Sequence, residues 1–146
     1  MATKELSPYN EATVLAFLET AFALERGIER ALSLHGISFS EYRLLRTLSA
    51  AGTKGQPRIE VASAVGLTPS AITRALKPLE KLGYVTTSRN ERDARQSLAV
   101  ITRNGKQLLT NAQQTVQGVL MDLPFNTLSN QQIIDFQRQL KKLMPG

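Results

Sequence analysis

The strongest constraint on this chain lies between residues 58 and 102, where two short helical segments meet across a glycine and run into a charged hairpin. In the first segment Ile59, Val61, Ala62 and Val65 are spaced to face inward, and Gly66 supplies the stop. Thr68-Pro69 starts the second segment, with a hydroxyl for the free N–H groups of its first turn and a proline at its first helical position. Ile72, Leu76 and Leu79 give that segment a buried side, and Gly83 closes it. Ala62 is small where the two helices must cross closely, Gly66 permits a tight turn, and Ile72 is the apolar contact that holds the second helix at a steep angle. Tyr84 to Arg89 and Ser97 to Thr102 are then rich in β-branched residues and flank a polar run, Asn90 to Gln96. That pattern predicts a β-hairpin with a long charged tip.

The rest of the chain reads as helices around this unit. Ser7-Pro8 opens a first helix whose apolar residues, Val14 through Leu32, recur at helical spacing until Gly36, a span of about 26 residues. Ser38 or Ser40 caps a second, carrying Tyr42, Leu44, Leu45 and Leu48, and Ala51 to Pro57 form a loop by their Gly and Pro content. A fifth helix starts near Thr102 and uses Leu108, Leu109, Ala112 and Val116. Asp122 to Thr127 form a Pro-containing break. The last helix begins with a Ser129/Gln132 capping box and a Leu128/Ile133 staple. The expected fold is mainly α with a small β-hairpin wing: a six-helix winged helix-turn-helix, dimerised through its N- and C-terminal helices. We expect a single domain over 1–146, with residues 38–102 as the winged lobe and 8–36 and 103–144 as dimerisation helices. The terminal apolar faces have no evident partner in the middle unit, so a second copy covers them, unless they form a monomeric layer over the core.

Charge separates along the same lines. Residues 1–53 hold 5 Lys/Arg and 6 Asp/Glu, residues 54–106 hold 10 and 4, and residues 107–146 hold 3 and 2, so the net +6 of the whole chain sits in the middle third. A basic surface of this kind attracts a polyanion through phosphate neutralisation, or it is a solvated face with no partner. Ser70, Ala71, Thr73, Arg74 and Lys77 project on or near the outer face of the second segment, where small hydroxyls near a helix start allow close approach to base edges. Arg74 suits a guanine edge or a phosphate, and Lys77 a phosphate. Arg92 and Arg95 sit at the hairpin tip and suit a narrow minor groove, with Asp93 placed to orient the Arg95 guanidinium by a bidentate pair. Read without the preceding helices, the same residues are a solvated tip with weak exposed ion pairs.

From about Gly36 to Gly105 the sequence resembles the MarR family of multiple antibiotic resistance regulators. The resemblance rests on Leu44-Leu45-Arg46-Thr47-Leu48, Val61 to Leu67, Thr68-Pro69-Ser70-Ala71-Ile72-Thr73-Arg74, Leu79 to Val85, the wing Arg92-Asp93-Ala94-Arg95, and Ile101-Thr102-Arg103-Asn104-Gly105. It implies a dimeric winged-helix transcription factor, a ligand-responsive repressor on a pseudo-palindromic operator in double-stranded DNA. The major-groove role then falls on Ser70, Thr73, Arg74 and Lys77 and the minor-groove role on Arg95, and Thr68, Ala71 and Arg92 complete the DNA-binding candidates read from the residues. Many relatives bind small aromatic or anionic effectors between the dimerisation helices and the DNA-binding unit, where the candidates are His35, Tyr42 and Arg46. Taken structurally, these three are a helix C-terminal histidine, a core or rim tyrosine and a surface ion-pair arginine. Pro78 departs from the pattern and predicts a kink or an early helix end near Lys77, which puts a role for Lys81 in doubt.

Composition closes other routes. A content of 42% hydrophobic and 21% charged residues fits a soluble globular protein. The chain has no cysteine and one histidine, so disulfides, thiol redox sensing and a histidine-rich metal cage are excluded. We expect no signal peptide, and no apolar run nears the roughly 18–20 residues of a membrane span, so the expected location is the cytoplasm, on the nucleoid when bound to DNA. We expect no metal, no cofactor and no membrane partner. With no nucleophile motif around His35 and no phosphate-binding glycine loop, an enzyme is not expected. The alternative to a DNA-binding regulator is a winged-helix module that binds protein, its basic face incidental.

Overall fold

A computed structural model of the chain describes residues 7–144. Helix α1 spans Pro8–Leu32 and ends in a 3-10 turn, Ser33–His35; α2 spans Phe39–Ala51, α3 Arg58–Val65 and α4 Pro69–Lys81. Strands β2, Val85–Arg89, and β3, Ser97–Ile101, form the hairpin, followed by α5, Arg103–Asp122, and α6, Asn130–Leu143. Among the described residues these are six α-helices and a wing, in the expected order. The loop expected over 51–57 also contains a two-residue strand, β1, Gln56–Pro57. It pairs antiparallel with β3, so the sheet order is β1-β3-β2. Two residues are too few to show alternation, which is why periodicity misses this strand.

Local signals set the helix boundaries. Ser7, Ser38, Thr68, Thr102 and Ser129 each accept a backbone N–H at a helix start, and Ser38/Glu41 and Ser129/Gln132 complete capping boxes. Gly66 adopts φ 72°, the left-handed conformation that turns the chain between α3 and α4. The Leu67 amide then donates to the Ala62 carbonyl at 2.8 Å, closing the turn.

One hydrophobic core runs through the molecule. Leu44, Leu45 and Leu48 of α2 are buried with Val61 and Ala62 of α3, Ile72, Leu76 and Leu79 of α4, and Val85, Ala99 and Ile101 of the wing stem. Leu32 from α1 and Leu109, Ala112 and Val116 from α5 complete it. Ile59, expected to face inward, is 63% exposed. It lies in the first turn of an eight-residue helix whose packed face is set by Val61, Ala62 and Val65, and the helical period carries it round to the flank.

Pro78 does not end α4, which continues to Lys81. Leu79 is fully buried and anchors the last turn, and the Tyr84 amide donates to the Leu79 carbonyl at 2.9 Å. Tertiary burial outweighs the one backbone donor that proline removes. The terminal helices are left open. Helix α1 exposes Val14, Phe17, Leu18 and Phe22, and α6 buries no residue. No described helix is long and apolar enough to cross a membrane.

Candidate nucleic-acid interface

Helix α4 presents the expected side chains, with one qualification. Thr68, Ser70, Thr73, Arg74 and Lys77 are exposed, whereas Ala71 is half-buried at the base of the first turn. The Thr68 hydroxyl accepts the Ala71 amide at 3.2 Å and lies 3.3 Å from the Ser70 hydroxyl. Thr73 donates its hydroxyl back to the Pro69 carbonyl at 3.3 Å, which fixes its rotamer and leaves its lone pairs outward. The ion pairs among the described residues are Arg58–Glu80 and Arg138–Asp135. Arg74, Lys77, Arg89, Arg92 and Arg95 are therefore exposed cations without a carboxylate partner.

The wing tip is built rather than loose. The Asn90 amide donates to the Gln96 carbonyl at 3.2 Å, and the two side chains bond at 2.9 Å. Inside this closure, the Arg92 amide donates to Asn90 Oδ1 and the Arg95 amide to Asp93 Oδ1, each at 3.0 Å. These are two successive turns in which an Asn or Asp side chain captures the amide two residues on. The expected bidentate pair between Asp93 and the Arg95 guanidinium is not formed. Asp93 fixes the Arg95 backbone and leaves the guanidinium outside. The Arg95 amide two residues on is the donor that Asp93 Oδ1 takes. Asn90 thus builds the tip together with Asp93, through an Asn turn that sequence composition marks only as a polar loop.

Four further residues join α4 to the wing, and the sequence did not flag them. Arg58, at the start of α3, contacts the Glu80 carboxylate in the last turn of α4. It also donates to Thr87 of β2 at 2.8 Å and to Ser97 of β3 at 3.3 Å. A signal existed: Arg58 and Glu80 each occupy the helix end that the macrodipole disfavours for their charge.

The three effector candidates lie in different surroundings. His35 sits at the end of the 3-10 turn, with Nε2 2.6 Å from the Thr115 hydroxyl of α5. Tyr42 is a core residue, 6% exposed, and burial raises its hydroxyl pKa above the ordinary tyrosine value while the nearby Arg46 guanidinium opposes the shift. Arg46 is exposed and forms none of the ion pairs found, contrary to its structural expectation. A cavity of about 250 Å³ beside it is lined by Arg43, Arg46, Thr47, Ala64 and Val65, and touches neither His35 nor Tyr42.

A glycine-turned pair of helices with an antiparallel wing packed beside the second of them defines a winged helix-turn-helix protein. Residues 35–96 match the model of the MarR family. The match covers less than half of the chain, and the chain as a whole has the winged-helix fold of solved MarR-family structures. Among solved structures, Sco3205, a MarR family transcriptional regulator from Streptomyces coelicolor in complex with DNA, is 22% identical, with a TM-score of 0.87 over 97% of this chain and 89% of its own. A mutant MarR from E. coli complexed with operator DNA is 24% identical, with a TM-score of 0.79 over 96% and 100%. CouR from Rhodococcus jostii, bound to p-coumaroyl-CoA, is 22% identical, with a TM-score of 0.79 over 97% and 95%. No curated protein matches the sequence.

Proposed function

We propose that the protein is a sequence-specific, double-stranded DNA-binding transcriptional regulator. In this reading it acts in the cytoplasm as a homodimeric, ligand-responsive repressor on a pseudo-palindromic operator, and is a binding protein rather than an enzyme. The observation that carries the proposal is the pair of exposed cations Arg74 and Lys77 on α4, neither of them in an ion pair, beside a preorganised tip that frees Arg92 and Arg95. Residues 38–102 act as the reading lobe. Thr68, Ser70, Ala71 and Thr73 bring the start of α4 close to base edges, Arg74 reads a base, and Lys77 holds phosphate. Arg92 and Arg95 enter the flanking minor groove, and Asp93 sets the Arg95 backbone. Residues 8–36 and 103–144 carry the dimer contact. A small aromatic or anionic effector belongs to the same reading, and among His35, Tyr42 and Arg46 only Arg46 presents an exposed cation beside a cavity.

Selection of duplexes from genomic fragments by the purified protein, followed by gel shift and footprinting, tests this. Arg74→Ala should weaken the selected duplex by about 1–3 kcal/mol and relax preference at one position per half-site. Equal weakening on every sequence would assign Arg74 to phosphate alone. Failure to retain any fragment at low salt would leave the protein-binding module.

A further inference from the structure

We infer that Arg58 is a positioning residue that locks the wing to the recognition helix, and this rests on the DNA-binding reading above. Its guanidinium bridges three elements. Nη2 contacts the Glu80 carboxylate of α4 and donates to Thr87 Oγ1 of β2 at 2.8 Å, while Nε donates to Ser97 Oγ of β3 at 3.3 Å. The Thr87 hydroxyl in turn donates to Glu80 Oε1 at 3.1 Å, closing a ring of three side chains. The guanidinium suits this task because its planar fork of donors reaches several acceptors at once, which an ammonium on a flexible stem does not.

Position along the hairpin gives the ring its consequence. Backbone pairing from β1 reaches β3 at Ala99 and Leu98 and stops there. Ser97 is the next residue outward, paired with Arg89 across the hairpin. The Arg58 bond is thus the anchor on β3 nearest the tip, ahead of the Asn90–Gln96 turns that carry Arg92 and Arg95. Both charges also sit at unfavourable ends of their own helices, Arg58 in the first turn of α3 and Glu80 in the last turn of α4. Residues that break a local preference and satisfy each other across elements are held by tertiary function rather than by helix formation. The side chains are 20% and 30% exposed, so water competes only in part for these bonds.

The absence of cysteine allows a direct test, since Ala94→Cys places a single spin label at the exposed wing tip of the full chain. Arg58→Ala and, independently, Thr87→Val should both broaden tip motion while the label is otherwise undisturbed. Thr87→Val removes only an exposed hydroxyl and decides the matter should Arg58→Ala fail to fold. Unchanged label spectra in a folded variant overturn the inference. On a duplex selected by the unsubstituted protein, Arg58→Ala should erase hydroxyl-radical protection at the outer minor grooves and retain protection of the central guanines. Arg95→Ala should weaken that duplex about tenfold alone and less than about twofold in the Arg58→Ala background, the non-additivity of residues acting as one unit. Additive losses, or uniform loss of protection, would show a merely structural arginine. Should no duplex be selected at all, the DNA reading falls and the label spectra still decide the positioning role.

Discussion

Gly105 shows how much one hydrogen atom can matter. In the first turn of α5 it lies against the Tyr84 carbonyl, and a methyl there would fall on that oxygen and come within 2.8 Å of Ile101 Cγ1. The same carbonyl accepts the Thr102 amide at 3.0 Å, so it has little freedom to retreat. Gly105→Ala should therefore lower the urea midpoint by the equivalent of about 1–3 kcal/mol, with an unchanged slope. Tyr42 supplies a pH test at the same scale. Burial raises its folded pKa, so the fold favours the neutral phenol. Its contribution is complete below the unfolded tyrosine value of about 10 and is lost as pH rises through the higher folded value. Tyr42→Phe should flatten the alkaline decline in urea midpoint above about pH 10, and an equally steep decline would place the cause elsewhere.

Among the elements, α4 carries the sharpest contrast between local preference and outcome. Its proline leaves the Arg74 carbonyl without the usual helical donor, yet the Leu82 amide still bonds to the Pro78 carbonyl at 3.1 Å and the helix persists. Pro78 is exposed, so Pro78→Ala adds the missing donor without disturbing the core. The substitution should raise stability by roughly 1–3 kcal/mol on the helix-propensity difference, read as a higher urea midpoint. A lower midpoint would mean that the proline is required by the turn into β2. The caps, the Gly66 turn, the buried stripe of α4 and the hairpin were legible because each depends on residues a few positions apart. The strand β1, the outward Ile59 and the persistence of α4 past Pro78 were not, because each is set by a neighbour distant in sequence.

At the scale of the molecule, the unfinished surface is the pair of terminal helices. A groove of about 550 Å³ between α1 and α6 is lined by Val14, Phe17, Phe136, Leu140 and Leu143, and Phe136 stacks at a tilt on Phe125 with ring centroids 6.3 Å apart. In the proposed dimer this face is covered, and the two recognition helices lie about 34 Å apart on successive turns of the duplex. A dimer neutralising about eight phosphates should bind its selected duplex with a log–log salt slope near −7. Phe136→Glu should yield a monomer by sedimentation and roughly halve that slope. A dimer that survives the charge would move the contact off α6.

The sequence alone determined the order of elements, the helix-turn-helix, the wing and the concentration of cations in one segment, since caps, glycine turns and apolar periods act over a few residues. It also placed Arg74, Lys77, Arg92 and Arg95 on candidate outer positions. Only the tertiary structure decided that Asp93 and Asn90 build the tip through the backbone and that Tyr42 is buried in the core while Arg46 stays exposed beside a cavity. It likewise brought Arg58 to Glu80, Thr87 and Ser97. Those contacts join residues up to 39 positions apart, and no local pattern encodes a distance that only the folded core brings to zero.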